Sequence, residues 1–185
     1  MSVPQDDARY REVDALPPGA QGLPALLAAL KDHSWRVRRL AAERLAALEP
    51  TPDIIAALVT LLSHRDETGA RNAAAGVLAQ LGLPAVPAVS ALLQHADPDQ
   101  RKFAADILGE LQRSEATDAL LAALRDPDAN VRVAAAEALG RVGGPLARRA
   151  LEGLLTSPEV MLRVCALNGL AALRAPPSLP TLLPM

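Results

Sequence analysis

The stretch Val131-Arg132-Val133-Ala134-Ala135-Ala136-Glu137-Ala138-Leu139-Gly140 decides the fold of this chain, because it recurs. Its arginine has counterparts at Arg38, Arg71, Arg101 and Arg163, with successive spacings of 33, 30, 31 and 31 residues. Self-similarity at a period of about 20–50 residues marks a solenoid, in which one supersecondary unit stacks on the next.

Upstream, Glu115 to Leu124 shows Ala119, Leu120, Ala123 and Leu124 at helical spacing. Asp126-Pro127-Asp128 then breaks that helix and caps a second one, predicted over Ala129 to Val142. Gly143-Gly144 ends it. Sliding this grammar along the chain predicts an all-α fold, an α-solenoid of about five helical hairpins over 22–50, 51–82, 83–112, 113–143 and 144–174. One extra residue in the turn Ser63 to Thr68 accounts for the 33-residue step.

Leu179-Pro180-Thr181-Leu182-Leu183 repeats the pattern of Leu23-Pro24-Ala25-Leu26-Leu27, so 178–185 reads as a half repeat. It is expected to act as a capping helix for the last apolar face, with a truncated repeat as the alternative. Residues 1–21, with Pro4, Pro17, Pro18 and scattered charge, read as an extended, partly disordered lead-in. The span 22–185 reads as a single solenoid.

Half of the 185 residues are apolar but only 2% are aromatic, so the core must be built from Ala, Leu and Val. The net charge of −2 lacks the electrostatic footprint of a general nucleic-acid binder. Cys165, the sole cysteine, fits a reducing compartment, and Met1 to Ala20 has no apolar stretch of the secretory type. No apolar run is long enough to span a bilayer, and a cytoplasmic location is expected.

Hairpins of about 31 residues with D-P-D-x-x-V-R followed by A-A-x-A-L-G resemble HEAT repeats, most of all the short bacterial subtype known as PBS-lyase HEAT-like. The resemblance spans Leu23 to Leu173 and implies fold more than function. The family includes scaffolds, adaptors, bilin-lyase subunits, a hydroxylase and DNA glycosylases.

The recurring arginines sit where the helix dipole disfavours a cation, so each should have a fixed anionic partner. Asp32, Asp66, Asp97 and Asp126 are available in the turns and are expected to reach the arginine of the following repeat. HEAT repeats similarly carry an Asp/Arg ladder, so Arg38, Arg71, Arg101, Arg132 and Arg163 read as a structural ladder. His33, His64 and His95 fall 31 residues apart, too far in a stacked array to share one metal ion, so no metal and no cofactor is expected. None precedes a glutamate, which removes the hydroxylase family's His-Glu iron ligands. Cys165 lies on an apolar stripe and reads as a buried thiol.

In the resembled fold the second helices line a concave side. Its variable positions here include Arg39, Asn72 and Lys102 in one row, Glu43, Asp106, Glu137 and Asn168 in another. Trp35 breaks the repeat grammar beside Arg36 and Arg39, and reads either as a partner contact or, with Tyr10, as a cover for the first repeat. The first repeat has five basic and three acidic residues, whereas the third has two basic and four acidic. Such a bipolar groove suits a protein partner, a helix or extended peptide, rather than a nucleic acid or membrane. The expected function is a non-enzymatic protein-protein scaffold or adaptor binding through Trp35, Arg36, Arg39, Glu43, Asn72, Lys102, Asp106, Glu137 and Asn168. A bilin-lyase-like enzyme or subunit is the alternative.

Overall fold

The computed structural model describes residues 3–17, 19–63 and 67–173. The half repeat expected at 178–185 and the turn residues His64 and Asp66 lie outside them. Among the described residues there are eleven α-helices and no strand. They cluster into two compact units, Met1–Val89 and Ser90–Met185.

The first unit contains α1 (Val3–Asp14), α2 (Leu23–Ala29), α3 (Trp35–Ala46), α4 (Pro52–Leu62) and α5 (Thr68–Leu81). Helix α6 (Val86–Ala91) bridges the boundary. The second unit contains α7 (Pro98–Leu111), α8 (Thr117–Ala123), α9 (Ala129–Val142), α10 (Gly144–Leu154) and α11 (Val160–Leu173). Helix α9 begins and ends where the apolar stripe and the Gly-Gly pair predict.

Each unit has two layers, because each helix hides one apolar stripe. In the first, α3 packs on α5 and α2 on α4, burying Leu26, Leu45, Leu58 and Leu78. In the second, α7, α9 and α11 pack in succession and α10 lies against α8, burying Ile107, Leu120, Leu139 and Leu151. The contacts between second helices use small residues, as the aromatic-poor composition requires. A Cβ on Gly140 would lie 2.9 Å from the Cα of Gly169, and one on Gly109 would lie 3.0 Å from the Cα of Ala138.

The expectation of an extended, partly disordered lead-in fails, because Val3–Asp14 is a helix packed on α3. Its polar composition hid it. Val13 is buried, but most of the attachment is ionic and polar. Arg9 pairs with Asp32, a carboxylate only 7% exposed, and Arg36 pairs with Asp7 at 3.1 Å. Arg44 donates to the carbonyls of Val13, Asp14 and Leu16 at 2.6–2.8 Å, gathering the chain where α1 ends.

Candidate functional site

The ladder arginines are fasteners, but they point the other way from the sequence expectation. Asp126 pairs with Arg101 of the preceding repeat through two parallel bonds of 2.7 and 2.8 Å. Arg132 likewise reaches forward to Glu159 with bonds of 3.0 and 2.7 Å. Arg38 leans over α5, where a Cβ on Gly69 would come within 2.9 Å of its guanidinium. Arg101 and Arg132 therefore project toward the next repeat, and a carboxylate from that repeat's turn meets each of them.

The helix dipole does not penalise this placement, because the guanidinium extends back over its own turn. Nη1 donates to the carbonyls of Asp32 and His33 from Arg38, of His95 and Ala96 from Arg101, and of Asp126 and Pro127 from Arg132. Arg163 repeats the pattern with Ser157 and Pro158. Lysine could not copy it, since three directions of donation require a planar fork. Arg71 occupies the same place in the first turn of α5.

Six residues before the arginine, the turn carries Asp32, His95, Asp126 or Ser157. Each accepts the backbone N–H two residues on, at 2.7, 3.1, 2.9 and 3.2 Å respectively. The turn therefore needs an acceptor here, not a particular side chain. Where serine replaces aspartate at Ser157, the carboxylate for Arg132 comes from Glu159 instead. Asp97, expected as a rung of the ladder, caps α7 by accepting the Asp99 N–H at 3.0 Å. His95 is a turn acceptor, and no group of metal-binding side chains forms among the described residues.

The Arg101–Asp126 pair is largely buried, and the guanidinium holds the Asp126 carboxyl below the usual carboxylate range. Burial pushes the Cys165 thiol up, and the Glu137 carboxylate adds to the effect. Cys165 is 4% exposed with Sγ 3.8 Å from Glu137 Oε1, so the protonated thiol donates to that carboxylate. Such a thiol is a poor nucleophile.

The expected partner-binding residues fall into two patches. In the first unit, Trp35, Arg36, Arg39 and Glu43 meet with Tyr10 and Leu40 around a cavity of about 200 Å³. Trp35 is 62% exposed and does not cover the first repeat, a task that α1 performs. The Arg36 guanidinium lies 5.4 Å from the Tyr10 ring centre, and Arg39 pairs with Glu43 at 2.8 Å. Asn72 is exposed on α5 and does not line this cavity.

In the second unit, Glu137 and Asn168 line a cavity of about 560 Å³ with Gln112, Arg141 and Cys165, over a floor formed by Gly140 and Gly169. Lys102 and Asp106 pair at 2.8 Å on α7, outside that lining. Sequence reasoning missed Gln112 and Arg9. Arg9 had a readable signal, since it precedes Arg38 by 29 residues, close to the ladder spacing.

The sequence pattern of HEAT repeats matches residues 23–93 and 86–174. The chain belongs to the HEAT-repeat family. No curated protein sequence matches this HEAT-repeat chain. Among solved structures, it is similar to the complex of CpcE and CpcF of phycocyanin lyase from Nostoc sp. PCC7120. That likeness has 26% identity and a TM-score of 0.59, and covers 69% of this chain and 82% of the other. It supports the PBS-lyase HEAT-like subtype. Human deoxyhypusine hydroxylase in complex with glycerol is similar at 24% identity and a TM-score of 0.57, covering 83% of this chain and 62% of that one. This second likeness concerns the fold alone. No single helix among the described residues is long and apolar enough to cross a membrane.

Proposed function

We propose that this HEAT-repeat protein is a non-enzymatic cytoplasmic scaffold that binds a partner protein through the Trp35 and Glu137–Asn168 patches. The observation that carries the reading is Trp35, the chain's sole tryptophan, held largely exposed among Arg36, Arg39 and Tyr10. An exposed indole flanked by guanidinium groups has the composition of a binding hot spot, and burying it on a partner releases apolar surface from water. The shallow floor at Gly140 and Gly169 leaves room for a helix or extended peptide between Glu137, Asn168 and Gln112. Lys102, Asp106 and Asn72 extend the polar surfaces of α7 and α5. Capture from the native lysate, with bound proteins identified for wild type and for Trp35→Ala/Arg39→Ala, tests the proposal. At least a tenfold loss of specific partners is expected, and equal recovery would remove this face.

A second reading, a bilin-lyase-like subunit, draws on the likeness to the phycocyanin lyase complex. It predicts visible absorbance co-purifying with the chain from a pigment-producing host. A spectrum limited to the protein band counts against it.

A further inference from the structure

Helix α1 is held on α3 by charge more than by apolar burial. It carries two basic and four acidic residues, whereas α3 carries four basic and one acidic, so the two helices have opposite net charge. Arg36 meets Asp7 in a half-exposed pair, and Arg9 closes on Asp32 with its own side chain 36% exposed. From Asp6 to Asp14, Val13 is the one buried residue. The repeats supply their own apolar core, where α3 packs on α2 and α5, and α4 on α5, with Leu26, Leu58 and Leu78 buried. Little of that core depends on α1.

The same helix builds part of the Trp35 patch. Tyr10 lines the cavity with Trp35, Arg36 and Arg39, and its ring centre lies 5.4 Å from the Arg36 guanidinium. Asp7 fixes that guanidinium from the other side of the pair at 3.1 Å. We propose that α1 is a salt-releasable strap that completes the Trp35 patch when docked on α3 and dismantles it when released, a regulation that rests on that patch being the partner site of the scaffold reading. Release takes Tyr10 out of the cavity and frees Arg36 from Asp7, so the indole loses two groups that orient a partner. A partner that contacts Tyr10 or the held Arg36 binds the docked state better and draws α1 down, so strap and partner act cooperatively. Screening sets the direction of the switch. The exposed ion pairs of α1 weaken as ionic strength rises, whereas the apolar core of the repeats does not rely on charge.

Tyr10 and Trp35 are the chain's sole tyrosine and sole tryptophan, so energy transfer from one ring to the other reports docking directly. It is read from the excitation spectrum of the indole emission of the purified full chain in rising sodium chloride, with circular dichroism recorded alongside. Transfer should fall at least about threefold between about 10 mM and about 1 M salt, as the screening length shrinks from about 30 Å to about 3 Å. Helicity should drop by no more than the share of the 12 residues of α1. Asp7→Asn and Arg44→Gln should each bring release to lower salt, since each removes contacts that hold α1 on α3. Transfer that is absent at low salt, or constant throughout the series, overturns the proposal. So does a loss of transfer that coincides with general loss of helicity, or release at the wild-type salt concentration in both variants. No partner takes part in this measurement, so a fixed α1 overturns the strap alone, whereas equal recovery in the lysate capture overturns the scaffold reading alone.

Discussion

The first and last helices described, α1 and α11, solve the same problem in opposite chemistry. Each sits at the edge of a unit whose second helices want a neighbour on both sides. Helix α1 is polar and covers α3 with ionic contacts, chiefly Arg9 to Asp32 and Arg44 to three carbonyls. Helix α11 is apolar and leaves Val164 and Leu167 exposed. Stacking therefore specifies a geometry, and the chemistry that completes it is open to change. Arg9 supplies to Asp32 what Arg101 supplies to Asp126, although α1 shares little of the repeat's apolar pattern.

The largest expected effect breaks the ionic end. Arg9→Ala strands a nearly buried Asp32 carboxylate and should cost about 3 kcal/mol in denaturant unfolding. Arg101→Ala should cost a similar amount in the second unit. If Arg9→Ala changes stability by less than about 0.5 kcal/mol, within the range of ordinary surface substitutions, α1 is not the ladder equivalent described above.

Acid gives a graded version of the same test. The folded Asp126 carboxyl lies below its unfolded value, so its contribution is present above the unfolded carboxylate range and is lost as pH falls through the lower folded value. Stability should decline on acidification, and Asp126→Asn should flatten that decline in a melting-temperature series. An identical pH slope in the variant would detach the pair from acid sensitivity.

The smallest effect lies at an interior turn that neither end uses. Gln112 adopts φ 49°, where the matching positions Gly82 and Gly143 have φ 71° and 72°. Gln112→Gly should leave the cavity's fold intact and stabilise it by about 0.5–1 kcal/mol, through relief of left-handed strain. A destabilisation in thermal unfolding would mean that the glutamine side chain matters more than its backbone.

Much of the fold was legible because its signals are local. The stripe from Val131 to Val142, the Asp-Pro-Asp turn and Gly143 each act within a few residues, and α9 formed as they predict. The candidate site was partly legible: deviation from the repeat exposed Trp35, and register brought Glu137 and Asn168 to one cavity. Gln112 could not be placed in that cavity without knowing which helices meet. The equal histidine spacing crosses the 33-residue step, so His33, His64 and His95 hold non-equivalent positions relative to Arg38, Arg71 and Arg101.

By itself the sequence determined the repeat, its helix limits and the need for an anion near each arginine, because hydrophobic periodicity and turn chemistry operate over short distances. Tertiary structure alone decided that Arg101 and Arg132 reach forward rather than back, and that α1 packs on α3 at the first repeat. Those outcomes depend on which surfaces stacking brings within a few ångströms, and neither residue type nor spacing carries that information.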